Sequence, residues 1–209
     1  GLICPDKFCM QACTRAGIDF PINIPRVQAT ILEKYRTAES AAHPKLPANG
    51  KKVAVIGAGP AGIAATAELS RLGYRITLFE SFEKIGGALN LIPDKRLPFE
   101  VIAKDWSFID DPDMIELRLN TPVNNPAALL EQDFDGVIVA TGEPEGINLG
   151  IDGEEHAVSY LDYLRHPEHY AARGNIAVIG GGAVATDCAL TAVNNGAENV
   201  EMFVRRRVS

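Results

Sequence analysis

Apolar residues in this chain gather into short unbroken runs separated by helical stretches, and that alternation predicts an α/β fold. Val53–Ile56, Asp135–Ala140 and Asn175–Ile179 have the continuous apolar pattern of parallel strands buried on both faces. Further strands are predicted at Ile76–Phe79, Ile115–Leu119 and Val200–Val204. Helices are predicted from the Ala-rich stretch ending near Gly73, over about 99–109, near Tyr160–Leu164, and up to about Asn195. Closer to the N-terminus, Pro25 suits a first helical turn, and Ile24, Val27, Ile31 and Tyr35 recur at helical spacing along one face.

Residues 37–50 hold Ala, Ser, His, two Pro and Gly50 without periodicity and read as a linker. Residues 143–174 read as a second connection. A hydrophobic fraction of 46% and a charged fraction of 22% are ordinary for a globular chain, and 209 residues suffice for one large or two small domains. A formal charge of −7 argues against nucleic acid or an anionic membrane as the main partner. No apolar run approaches the ~18 residues of a membrane span, and no secretory signal is visible, so a cytoplasmic location is expected. The chain opens in mid-motif at Gly1 and is expected to be a fragment of a longer polypeptide.

Candidate chemistry begins where the Val53–Ile56 strand runs into Gly57-Ala58-Gly59-Pro60-Ala61-Gly62, a G-x-G-x-x-G that opens a helix. Gly57 permits the tight turn, Gly59 lets a pyrophosphate approach bare backbone, and Gly62 lets the helix pack close on the sheet. The phosphates would rest on the positive end of the helix dipole. Glu80 ends the next strand eighteen residues past Gly62, where a carboxylate accepts hydrogen bonds from both ribose hydroxyls of an adenosine. Such context turns a weak motif into a dinucleotide-binding prediction.

Gly86-Gly87 and Arg96 follow; a Gly pair can lie against a flavin, and Arg96 could meet its dipolar edge or pyrophosphate, though a plain turn is the commoner reading of two glycines. Val123 is placed to present its backbone to an adenine. Ala140-Thr141-Gly142 lies at the carboxyl end of a strand, where open α/β sheets bind ligands.

The unit then repeats. Gly180-Gly181-Gly182-Ala183-Val184-Ala185 is a G-x-G-x-x-A, and where the first copy ends in Glu80 the second ends in Arg205-Arg206-Arg207. An arginine fork without an acid is what a 2′-phosphate needs, so the second unit is expected to prefer NADP; a solvated basic tail is the other reading. Cys188 reads as a small buried residue inside the helix. His166 and His169 have a spacing that ligands can use but no companion, and metal binding is not expected there.

Cys4, Cys9 and Cys13 are spaced C-x4-C-x3-C, an odd cluster that suggests metal rather than disulfides. Spacing alone leaves an iron–sulfur cluster, structural zinc and free thiols open. Two dinucleotide units in series, one acidic and one basic, describe a flavoprotein reduced by a pyridine nucleotide. Such a flavin suits an iron–sulfur acceptor, which favours a cluster.

The order of these motifs resembles the family comprising the glutamate synthase small subunit, the amino-terminal half of dihydropyrimidine dehydrogenase and the large subunit of the NADH-dependent ferredoxin:NADP oxidoreductase. Ile3-Cys4-Pro5 with Cys9 and Cys13, Pro21–Ile24, Gly57–Ala61, Ile85–Gly87, Ile92-Pro93, Arg96–Pro98, Ala140–Gly142, Gly180–Ala185 with Asp187-Cys188, and Arg205-Arg206 carry the likeness over nearly the whole chain. Ala183 departs from it, standing where the family commonly has Asn or Asp.

The resemblance implies a short α-helical iron–sulfur segment followed by two Rossmann-like, three-layer units, FAD-binding then NAD(P)H-binding, truncated at both ends. It implies that Cys4 and Cys9 with Gln28 ligate one [4Fe–4S] cluster and that Cys13 belongs to another, the remaining ligands lying upstream. The expected domains are 1–48 (end of the helical segment plus linker), 49–145 (FAD unit) and 146–209 (start of the NADPH unit), with electrons passing to a partner domain or subunit. Two alternatives are a thioredoxin-reductase-like disulfide reductase and a non-catalytic nucleotide-binding module. The first needs a dithiol near the flavin, and residues 143–174 contain no cysteine.

Overall fold

A computed structural model describes residues 3–4, 8–35, 45–143, 145–146, 150–170 and 174–205. Its largest feature is a four-stranded parallel sheet in the order β3-β2-β1-β4, formed by β1 (Lys52–Ile56), β2 (Arg75–Phe79), β3 (Ile115–Arg118) and β4 (Gly136–Val139). Val53 pairs with Ile76 on one side and with Gly136 on the other, which puts β1 inside the sheet. The strand period of two then divides the side chains. Val53, Val55, Ile76, Leu78 and Ile115 join Ile85, Leu97 and Ile102 in one core, whereas Ala54, Ile56 and Phe79 join Leu129 in a second.

The first α-helices among the described residues are α1 (Phe8–Gln11), α2 (Ile24–Tyr35), α3 (Pro60–Arg71) and α4 (Phe99–Ser107). The face of α3 that is buried carries only small residues, Gly62, Thr66 and Ser70. A helix with such a face packs its backbone close to a sheet. Ile102 of α4 enters the first core. The apolar stripe predicted on α2 stands half-exposed at Val27 and Ile31.

Part of the predicted linker, residues 36–44, lies outside the described residues. The part that follows is fastened to the end of α3. Leu46 N–H donates to Arg71 O at 2.8 Å and Asn49 N–H to Gly73 O at 2.9 Å. Gly73 has a φ of +84°, and a Cβ there would stand 2.2 Å from Pro47 O. Ile3, at the other end of the segment, packs on the first core.

Two short helices follow: α5 (Ala127–Leu130), which precedes β4, and α6 (Tyr160–Arg165), which comes after it and is the short helix predicted in the second connection. Then β5 (Asn175–Ile179), α7 (Ala183–Asn194) and β6 (Asn199–Phe203) form a second parallel β-α-β unit with Ile179 opposite Phe203. Two predictions of full burial are corrected here. β4 is the edge of its sheet and leaves Val139 exposed; β5 has β6 alone beside it among the described residues and leaves Ile179 59% exposed. An apolar run marks a strand but does not count the neighbours that cover it.

Candidate functional site: two Gly-rich turns

In the first turn Gly57 and Gly62 are each required by a neighbouring backbone atom. Gly57 has a φ of +102°, and a Cβ there would lie 2.4 Å from Ala140 O. Ala140 N–H in turn donates to Ile56 O at 2.8 Å, which ties Ala140-Thr141-Gly142 to the strand end. A Cβ on Gly62 would lie 1.8 Å from Gly57 O. Gly59 is the N-cap of α3, Pro60 stands in the first helical position where no N–H is needed, and Ala61 is exposed beside it. A Cβ on Gly87 (φ +53°) would lie 2.8 Å from Gly59 Cα, so two bare α-carbons meet over the helix start.

Glu80 is buried at 5% exposure, and its carboxylate is already organised. Its Oε2 accepts from Ala58 N–H at 2.7 Å; Oε1 accepts from Phe82 N–H at 3.0 Å and Ser81 Oγ at 3.1 Å. Three bonds leave room for about one more on a carboxylate with about four acceptor sites. The acid therefore shapes the turn. Val123 packs half-buried on the second core, at the same end of the sheet as Ile56 and Phe79.

The second turn repeats the geometry. Gly182 caps α7 with φ −88° and ψ −179°, against φ −75° and ψ −178° for Gly59 in front of α3. Gly180 N–H donates to Phe203 O at 2.9 Å, as Gly57 N–H donates to Phe79 O at 2.7 Å. Gly180 has a φ of +138°, and a Cβ there would meet the Ala185 Cβ at 3.2 Å. Ala183 and Val184 open the helix, both exposed. Each 12-residue helix thus points unpaired N–H groups at a Gly turn, a site suited to anions.

That shared register corrects one correspondence. The position matching Glu80 is Val204, not Arg205. Val204 Cγ1 occupies the space beside Gly181, 2.1 Å from where a Cβ on Gly181 would be. Arg205 follows, exposed, in the place of Ser81, and Arg206 lies outside the described residues. The signal in the sequence is the count of residues from the strand end, which falls on Val204, one position before the arginine run.

A cleft of 1210 Å³ lies along β5, bounded by Gly180, Gly182, Ala183, Tyr160 and Cys188. Burial raises the Cys188 thiol, with Asp187 beside it, to about 11, so it is a proton-holding core group and not a nucleophile at neutral pH. Arg96 reaches out of the first unit and pairs with Asp187, which is buried on α7; sequence reasoning had assigned it only to a flavin.

Cys4 and Cys9 are exposed, Cys13 is half-buried, Gln28 is exposed on α2, and none of the cysteines is in a disulfide. Hydrogen bonds from the backbone of Ile22 and then Arg15 hold the Cys13 thiol below its ordinary range, which favours the thiolate that soft metals take. Among the described residues the three thiols do not gather into one ligand group; His166, Glu168 and His169 do, within 4.8 Å. Glu168 stands between the two histidines, its Oε1 3.5 Å from His166 Nδ1 and 3.7 Å from His169 Nε2, with all three side chains exposed.

Two family models fit the chain: the NAD(P)-binding Rossmann-like domain over residues 55–107, and the pyridine nucleotide-disulphide oxidoreductase over residues 111–208. The subunit PreT of the NAD-dependent dihydropyrimidine dehydrogenase from Salmonella typhimurium is 34% identical, across 99% of this chain and 52% of that protein. The small chain of the NADPH glutamate synthase from Bacillus subtilis is 31% identical, across 97% of this chain and 45% of its own length. Its homologues are oxidoreductase subunits. This homologue of the glutamate synthase small chain and PreT is also 32% identical to subunit beta of the NADP(+)-dependent formate dehydrogenase of Moorella thermoacetica, over 95% of the chain and 32% of that relative. It spans about half or less of the length of the curated relatives it matches. Histamine dehydrogenase from Rhizobium sp. 4-9 shares the fold with a TM-score of 0.60 at 22% identity, over 78% of this chain and 28% of that one. This chain has a Rossmann-like α/β dinucleotide-binding fold with a parallel sheet.

Proposed function

We propose that the chain is the core of an NADPH-dependent flavin and iron–sulfur oxidoreductase module that exchanges electrons between NADPH, FAD and [4Fe–4S] clusters and a partner domain or subunit in the cytoplasm. FAD would lie on the first unit, against Gly57, Ala58, Gly59, Pro60, Ala61, Gly62, Gly87 and Ala140-Thr141-Gly142, with Glu80 at the ribose, Val123 at the adenine and Arg96 near the flavin. NADPH would lie on the second, along Gly180–Ala185 and with Arg205 and Arg206 at the 2′-phosphate. Residues 49–145 and 146–209 are the two units in this reading, after a cluster segment at 1–48.

One observation carries the assignment of cofactors. The same turn and helix occur twice, but the residue after β2 is a buried acid and the residue after β6 is an apolar valine followed by arginine. An acid suits a bare ribose, while its absence beside a guanidinium suits a phosphorylated one. When bound, the nicotinamide supplies a hydride and the flavin takes it as two electrons and a proton; the chain supplies orientation. The lowered Cys13 thiol fits a soft-metal ligand, and Cys4, Cys9 and Gln28 would complete the donors on this segment. The names of the relatives as subunits and chains of larger oxidoreductases support a partner. No helix among the described residues is long and apolar enough to cross a membrane.

A disulfide-reductase reading is weakened by the buried, proton-holding Cys188 and by the absence of cysteine from residues 143–174, where its dithiol is expected. The test is anaerobic purification of the full-length protein, with visible and EPR spectra before and after NADPH. Bleaching of a flavin followed by a reduced-cluster signal is the expected result. A protein without flavin, or one that NADH reduces and NADPH does not, would overturn the assignment.

A further inference from the structure

Arg96 and Asp187 stand 91 residues apart and belong to different units, yet they meet in a pair whose carboxylate is only 6% exposed. A carboxylate so buried is costly to leave without its counter-charge. The contact is also part of a continuous chain of backbone. Gly87 Cα abuts Gly59 at the start of α3, and Arg96 closes the segment that Gly87 begins. Arg96 N–H donates to Pro93 O at 2.7 Å, and the neighbouring Leu97 is anchored in the first core. Asp187 stands in the second turn of α7, whose first turn opens at Gly182. Two turns further along the same helix, Asn194 Oδ1 accepts from Lys95 Nζ at 3.0 Å. The segment from Gly87 to Arg96 is therefore fastened to one Gly turn at its start and to the helix of the other at its end.

We propose that Asp187 is a positioning residue for hydride transfer: through Arg96 it holds the wall of the first cradle in register with the helix that carries the second. This rests on the proposed function, because the register matters only if both cradles are filled. A guanidinium held on a buried carboxylate favours one geometry over sliding alternatives. Binding of each cofactor depends on its own turn, whereas transfer between them depends on the distance that the pair sets; an error of ~1 Å in such a distance can cost ~100-fold in rate.

The experiment uses the full-length holoprotein and a cycle of Asp187→Asn, Arg96→Gln and the double variant. Flavin content and the NADPH dissociation constant are measured beside the limiting rate of flavin reduction in anaerobic rapid mixing. We expect Asp187→Asn to bind NADPH within about threefold of the parent, to reduce its flavin about tenfold more slowly, and the double variant to be no slower than either single one. Amide hydrogen exchange without nucleotide is the second readout, and there Asp187→Asn should speed exchange across 87–97, on the other unit. That readout stands even where NADPH fails to reduce the parent, a result that would sink the functional reading and leave the mechanical link to be judged by exchange. A limiting rate within twofold of the parent, additive losses in the double variant, or unchanged exchange over 87–97 would overturn the proposal. Arg96→Lys, which keeps the charge and loses the guanidinium, carries the same readouts if Asp187→Asn does not fold.

Discussion

Val204 presses its Cγ1 into the space where a Cβ on Gly181 would stand, 2.1 Å away, and this pair replaces the hydrogen-bonded pair of Ala58 and Glu80 in the first unit. One turn is closed by a carboxylate that accepts a backbone N–H, the other by a methyl group against bare backbone. The difference decides what charge an incoming ribose would meet.

Val204→Glu should therefore move the full-length protein toward NADH. A carboxylate there would accept from the Gly181 N–H as Glu80 does from Ala58, and would repel a 2′-phosphate. The ratio of kcat/KM for NADPH over NADH should fall at least about tenfold, or ~1.4 kcal/mol. Steady-state kinetics with both nucleotides check this, and an unchanged ratio would show that the second unit does not read the phosphate at this position.

Gly62→Ala should damage the first unit. The added methyl would meet Gly57 O, a backbone atom held by the pairing of β1, at 1.8 Å. Overpacking of this kind costs about 1–3 kcal/mol, read as a lower denaturation midpoint in urea and a lower flavin content on purification.

Thr66→Val should stabilise. The Thr66 hydroxyl is wholly buried on the sheet-facing side of α3 and has no hydrogen-bond partner among the described residues. Exchanging an unsatisfied hydroxyl for a methyl group of the same shape removes a desolvation cost of about 1 kcal/mol. Urea unfolding followed by circular dichroism measures it.

Stability should also fall in a defined alkaline window. The native Cys188 thiol holds its proton up to about 11, against an ordinary value of 9.0. Between those values the native state binds more protons than the unfolded chain, so its contribution is complete below about 9 and is lost as the pH rises through about 11. Cys188→Ala should flatten the pH dependence of the urea midpoint over this range relative to the parent.

Much of this arrangement was legible in local sequence. The strand, the Gly-rich turn, the helix and the strand ending in an acid are consecutive, and backbone geometry dictates each step, so Gly57, Gly59, Gly62 and Glu80 could be placed by spacing alone. The repeat at Gly180–Ala185 was legible for the same reason. What escaped depends on partners remote in sequence. Arg96 shows no local sign of Asp187, and the apolar run of β5 says nothing of how few strands flank it. Val204 escaped through a count of one residue, because charge is conspicuous and a methyl group in the acid's place is not.

The knot between Pro47 and Gly73 has a consequence for electrical wiring. It fixes the approach segment at the far end of α3, and twelve residues at about 1.5 Å each put that end roughly 18 Å from the Gly turn. Ile3, beside Cys4, is nevertheless seated on the same hydrophobic mass that supports Gly86 and Gly87. In the proposed module Cys4 therefore sits at the flank of the flavin unit. Current would then cross directly through that flank instead of following the polypeptide.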